Sequence, residues 1–173
     1  AFDPTYSAAT TDQWHQFLGR SVGERAAEVR AAYEAARPDA TPLQLIAAVQ
    51  TDHAFRRPAQ RLCEQRAAAG VPSWMYWFTW ASPAFGGLLG SAHALDIPFA
   101  FDNLHAPGTD MLLGDGSECQ AIATRFADEI TGFARTGSTS WPAFDMQQRP
   151  TFRLAAVTEV VCDPEPSLRA LDL

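Results

Sequence analysis

The chain has 173 residues, 47% of them hydrophobic and 19% charged, which suits one packed domain and excludes a disordered polymer. Its 13 basic groups are all arginine and face 20 carboxylates, so the net charge is −7 and the pI about 4.9; no arginine run or basic helix offers nucleic-acid phosphate a positive face. No stretch approaches the roughly 18 apolar residues of a membrane span.

The first elements read as helices. Thr10 and Gln13 form a capping box ahead of Trp14, Phe17 and Leu18, and Gly19 is expected to end that helix. Ser21 and Glu24 make a second such pair. It would open a helix with Val22, Ala26, Val29 and Tyr33 on one face, stopped by Arg37-Pro38-Asp39. Thr41-Pro42-Leu43-Gln44 combines a cap, a proline at the first helical position and a glutamine at the third. The helix it starts breaks near Thr51-Asp52, kinks or restarts at Pro58, and ends at Gly70. From Ser73 the period changes: Ser73 to Trp80 is aromatic on both alternations, as in a strand with both faces covered. Ala81 to Ala92 is a loop carrying Pro83, Gly86, Gly87 and Gly90, and it leads to His93. Asp96 to Phe101 is short, apolar and broken by proline, and His105 to Gly116 reads as loop. Ser117-Glu118-Cys119-Gln120 caps an amphipathic helix with Ile122, Phe126, Ile130 and Phe133 on one face and Gly137 as its stop. Thr151–Leu154 and Val157–Val161 predict two short strands. The whole predicts an α/β chain: several helices around a buried strand, with a short β pair toward the end.

The chemistry is narrowed mostly by exclusion. Cys63, Cys119 and Cys162 are odd in number and widely spaced; they indicate neither a disulfide framework nor a zinc knuckle, and their pattern fits a reducing interior. No phosphate loop, cofactor motif or metal-ligand spacing is present: His93 and Asp96 lie three apart, while His15, His53 and His105 sit in unrelated segments. No G-x-S-x-G elbow occurs; Ser91 comes closest, but Leu89 and His93 stand where glycines are needed, and Gly114-Asp115-Gly116-Ser117-Glu118 also fails. The candidate that remains is His93, a lone imidazole beyond the carboxyl end of an apolar strand, where open α/β sheets gather ligands and general bases. The competing reading is a solvated loop histidine. Ala1 is not an initiator Met and no charged leader follows it, so the chain is expected to be processed or part of something longer.

Thr51-Asp52-His53-Ala54-Phe55-Arg56-Arg57-Pro58-Ala59, Met75 to Trp80, the Ser82-Pro83 loop and above all Gly90-Ser91-Ala92-His93-Ala94-Leu95-Asp96-Ile97-Pro98-Phe99-Ala100-Phe101 resemble the type-B carboxylesterases, the cholinesterase-like branch of the α/β-hydrolases. Phe126 to Thr136, Trp141 to Asp145 and Arg149-Pro150-Thr151 resemble that family's C-terminal helix and closing strands. The resemblance is close over 50–164 and loose over 1–45, and it implies one C-terminal segment spanning 1–173. It implies that His93 is the catalytic histidine and that Asp96 matches an acidic position behind it. Asp96 would steady the catalytic loop, or simply accept backbone N–H bonds within it. Phe85, Leu88 and Leu89 would line an ester cleft or pack locally, and the stripe Trp74, Tyr76, Phe78, Trp80 would be sheet core. The family's nucleophile elbow, oxyanion loop and triad acid lie upstream of the matched region; Asp3 stands near the expected acid, but Phe2-Asp3-Pro4-Thr5 does not match it. The expected partners are therefore a small-molecule carboxylic ester and the missing N-terminal part, with no cofactor. Two other classes compete: a non-enzymatic esterase-like binding or adhesion module, and a free-standing helical interaction domain. The doubly apolar strand speaks against the second.

Overall fold

The computed structural model describes residues 9–113, 117–171 and 173. Asp3, Gly114 to Gly116 and the side chain of Ser117 lie outside the described residues, and with them the expectations placed there. The chain forms two compact units, 1–62 with 164–173, and 63–163.

The first unit begins with α1 (Thr11–Val22). Its capping box is complete: the Thr10 hydroxyl accepts from the Gln13 N–H at 3.2 Å, and the Gln13 side chain accepts from the Thr10 N–H at 2.8 Å. The helix does not stop at Gly19. It runs on to Val22 and ends at Gly23, whose φ of 56° and ψ of −126° belong to glycine. Ser21 therefore lies inside α1, and the expected Ser21–Glu24 cap does not form. A 3₁₀ turn, Gly23–Arg25, leads instead into α2 (Ala26–Ala36), which has no side-chain cap. The local cap signal loses because the preceding helix has not yet ended. Thr41 and Gln44 cap α3 (Pro42–Thr51) as the motif predicts. Trp14, Leu18, Val29, Tyr33, Leu45 and Val49 close a core with Leu168 and Leu171, the former on α8 (Pro166–Arg169).

The break at Thr51-Asp52 is a π-helical turn, Asp52–Arg56, whose closing bond runs from the Arg57 N–H to the Asp52 carbonyl. Pro58 follows; it has no N–H, and its ring crowds the carbonyl four residues back, so the wider turn relieves a clash before α4 (Arg57–Ala68) begins. The turn leaves both Asp52 and Arg56 buried. The Tyr33 hydroxyl donates to Asp52 Oδ2 at 2.6 Å, and Arg56 pairs with Asp52 at 3.6 Å and with Glu165. Arg37 bonds Glu165 at 2.8 Å. Two carboxylates and two guanidiniums thus neutralise one another inside the unit. Burial pushes the Asp52 carboxyl up, against the Tyr33 hydrogen bond and the charge of Arg56. Burial and then the bond to Asp52 push the Tyr33 phenol far above its ordinary value.

The second unit begins within α4, which ends where Gly70 adopts φ 69° and the Val71 N–H returns to the Arg66 carbonyl at 2.9 Å. Its sheet has the order β1-β2-β3: β1 (Met75–Phe78) runs parallel to β2 (Pro150–Leu154), which runs antiparallel to β3 (Glu159–Cys162). The registers pair Met75 with Thr151 and Thr151 with Val161. The strand buried along most of its length is the middle one, β2, where Phe152 and Leu154 enter the core. On β1 only Met75 is fully buried; Trp77 and Phe78 are half-buried, and Tyr76 is 44% exposed. The aromatic alternation therefore overstated the cover on this strand, because its tyrosine carries a polar tip to the surface.

α7 (Ser117–Thr136) buries Cys119, Ile122, Ala123 and Phe126, but Ile130 and Phe133 are 42% and 46% exposed. The Phe133 ring nonetheless meets that of Trp74, just before β1, at a centroid distance of 5.5 Å. Gly137, at φ 73°, ends α7 as expected. The segment predicted as loop from His105 contains one helical turn, α6 (Asp110–Leu113), and the apolar run after Asp96 folds as another, α5 (Ile97–Ala100), with Pro98 in its first turn.

Candidate active site

The site is built where β1 runs out. The N–H groups of Thr79 and Trp80 both donate to the Leu154 carbonyl, at 2.8 and 3.0 Å, which holds the strand's exit on β2. The glycine-rich loop then leaves and returns: Ser82 and Gly90 form an isolated antiparallel bridge, with the Ser82 N–H on the Gly90 carbonyl at 3.0 Å. The buried Ser82 hydroxyl accepts from the Ala84 N–H at 3.0 Å and donates to the Leu112 carbonyl, tying the loop to α6. Beyond the bridge the chain turns through φ 67° at Gly86 and 85° at Gly87, and through 54° at Phe85, the one non-glycine of the three.

His93 follows in a turn and is exposed. The next residue, Ala94, has φ 66°, a conformation that costs an L-residue of order 1–3 kcal/mol and persists only where the surroundings impose it. They do so on both sides. Two residues before His93, the Ser91 hydroxyl donates to the Trp80 carbonyl at 2.5 Å and lies 3.4 Å from that of Phe78. Three residues after it, Asp96 Oδ2 accepts from the Tyr76 hydroxyl at 3.0 Å. Between and beyond them Leu95 and Phe99 are buried, and the Phe99 ring meets Phe78 and Trp80 at centroid distances of 5.0 and 5.2 Å.

Tyr76 is the residue that sequence reasoning placed wrongly. It sits in the aromatic stripe expected to be core, its ring lies 4.9 Å from that of Phe126 on α7, and its hydroxyl leaves the core to reach Asp96. Burial, then the Asp96 charge, push its phenol up to about 12. The only sequence signal was a tyrosine where the other members of the stripe lack a hydroxyl. Trp74, Phe78 and Trp80 pack as expected, and Trp80 also donates its indole N–H to Glu118 at 3.0 Å. The cleft candidates lie in the same loop as His93, on the far side of the Ser82–Gly90 bridge. Phe85 and Leu88 are 52% and 59% exposed, and Leu89 is half-buried. Among the described residues no three of His, Cys, Asp and Glu gather as a metal site, and no helix is long and apolar enough to cross a membrane.

No protein-family model matches the chain. Individual proteins do. Phenmedipham hydrolase of Pseudarthrobacter oxydans is 34% identical over the whole of this chain and 34% of its own length. Carboxylesterase EST55 of Geobacillus stearothermophilus superposes with a TM-score of 0.78 at 31% identity, over 97% of this chain and 36% of that one. The chain is a type-B carboxylesterase-like α/β-hydrolase segment. Para-nitrobenzyl esterase of Bacillus subtilis is 29% identical over 70% of the chain, and a PNB esterase structure aligns with a TM-score of 0.67 over 94% of it. This carboxylesterase-like segment spans about a third of the length of the first two of these proteins.

Proposed function

We propose that this chain is the C-terminal segment of a serine carboxylic ester hydrolase and supplies its catalytic base, His93. The observation that carries the reading is an exposed histidine on a tethered turn beyond the end of β1, in a chain similar along its whole length to a hydrolase and over 97% of it to a carboxylesterase. In this reading an upstream serine attacks the ester carbonyl. As the Oγ–C bond forms, the serine proton passes to the imidazole of His93, which then gives it to the departing alkoxide as the C–O bond breaks. Water repeats the sequence on the acyl-enzyme, His93 again taking and returning the proton. Asp96 orients the turn that bears the base, and Phe85, Leu88 and Leu89 offer apolar surface to one arm of the ester. The nucleophile, the triad acid and the oxyanion donors come from the rest of the protein, and a small carboxylic ester is the substrate.

The test is hydrolysis of p-nitrophenyl acetate. The chain alone is expected to turn over no faster than free imidazole and to show no burst. In the full-length protein, His93→Gln is expected to lower kcat by several orders of magnitude, while His15→Gln, His53→Gln and His105→Gln stay near the parent. A burst from the chain alone, or a His93→Gln enzyme within about tenfold of the parent, a difference of roughly 1.4 kcal/mol, overturns the assignment.

A further inference from the structure

We propose that Ser91 and Tyr76 are positioning residues for His93, clamping the histidine turn from its two sides onto strand β1 and its exit at Trp80. The inference rests on the reading of His93 as the base, and it concerns how an exposed residue on a glycine-rich loop is kept at the geometry proton transfer requires.

A base displaced by about 1 Å can lose a hundredfold in rate, so a loop rich in positive φ is a poor carrier unless it is pinned close to the reacting group. Here the pins sit two residues before His93 and three after. The first is the Ser91 hydroxyl on the Trp80 carbonyl at 2.5 Å. That carbonyl is itself fixed, because the Trp80 N–H is bonded to Leu154 of β2. The second is the Tyr76 hydroxyl on Asp96 at 3.0 Å. Tyr76 is fixed by its place in β1, opposite Phe152, and by its ring contact with Phe126. One pin therefore ends within β1 and the other two residues past it, on the strand's exit, which is bonded to the middle of the sheet. The strained Ala94 lies between them, next to the histidine, where a turn held at both ends can impose its conformation. Ser91, the nearest approach in the chain to an elbow serine, thus acts as a tether rather than a nucleophile, because its hydroxyl proton is held by a backbone carbonyl.

The experiment uses the full-length protein and p-nitrophenyl acetate, with His93→Gln measured beside the clamp variants. Ser91→Ala and Tyr76→Phe are each expected to lower kcat about tenfold with KM unchanged within twofold and the melting temperature above the assay temperature. Ser91→Thr, which keeps the hydroxyl, is expected to restore kcat to within about threefold. In an Asp96→Ala background, Tyr76→Phe is expected to add no further loss, since the two act as one unit. If His93→Gln abolishes turnover while Ser91→Ala or Tyr76→Phe leaves kcat within twofold, the two-sided clamp is wrong and the base assignment stands. A loss that falls equally on KM, or that follows only the unfolded fraction, also overturns the clamp. If His93→Gln leaves turnover intact, the base assignment fails and takes the clamp with it.

Discussion

Tyr33 shows how much a single hydroxyl decides. It is fully buried and donates to Asp52, a carboxylate held well inside the first unit. Tyr33→Phe leaves that carboxylate short of a donor, at a cost of about 1–3 kcal/mol near neutral pH. The alkaline limb gives a sharper test. Burial raises the folded phenol above the usual value near 10, so the unfolded chain releases the proton first. The stability is complete below about pH 10 and is lost as pH rises beyond it. Lysine would blur this window in most proteins, but this chain has none, and arginine does not titrate there. The urea midpoint is therefore expected to fall between pH 9 and about 11 in the parent and to fall less in Tyr33→Phe; parallel curves for the two would refute this. At the same scale, His93 stands out in the sequence as an imidazole beyond an apolar strand, and Asp96 only through the resemblance to the esterase segment; their roles are those proposed above. The Tyr76–Asp96 contact could not be picked out, since nothing local says which of several aromatic residues on a strand will meet a carboxylate twenty positions on.

The elements separate signals that fold as written from those that neighbours override. The Thr10 and Thr41 capping boxes form because each stands at a true boundary, and the one at Ser21 fails because α1 is still running when it arrives. The glycines of α1 make the same point. Gly19 is exposed, helical and open around its missing Cβ, whereas Gly23 holds a backbone conformation that only glycine adopts readily. Gly19→Ala is expected to stabilise by up to about 1 kcal/mol through helix propensity, and Gly23→Ala to destabilise by about 1–2 kcal/mol. Thermal melts of the two variants should move in opposite directions, and a shift of the same sign in both would show that the helix boundary is misplaced. Both glycines look alike in the sequence. Only the continuation into α2 makes one a stop and the other a passenger. The π turn at Asp52 was visible as a break, but its geometry follows from Pro58 and from the burial of Arg56 together, and the second of these is set by Glu165, far along the chain.

At the scale of the molecule, the sheet has three strands among the described residues, with β1 and β3 at its edges, and Phe101, Met111 and Val157 are 75%, 69% and 70% exposed. Open edges and apolar patches recruit other chains. The chain is expected to self-associate at micromolar concentration and to bind a hydrophobic dye; a monomer on sizing chromatography that leaves the dye dark would count against this. The order of the strands has a further consequence, for the time the chain needs to fold. β1 and β2 pair in parallel, and everything from Thr79 to Arg149, including the histidine turn and α7, is strung between them. Helices can close within microseconds from neighbouring residues, but this pairing must wait for a long stretch of chain to be drawn into a loop before the first ladder bond offsets the lost entropy. The histidine turn hangs from β1 and its exit, and the backbone of that exit is bonded to Leu154 of β2. The parallel pairing on which the histidine turn depends is therefore expected late in folding, so recovery of the proposed site during refolding should lag behind recovery of helix.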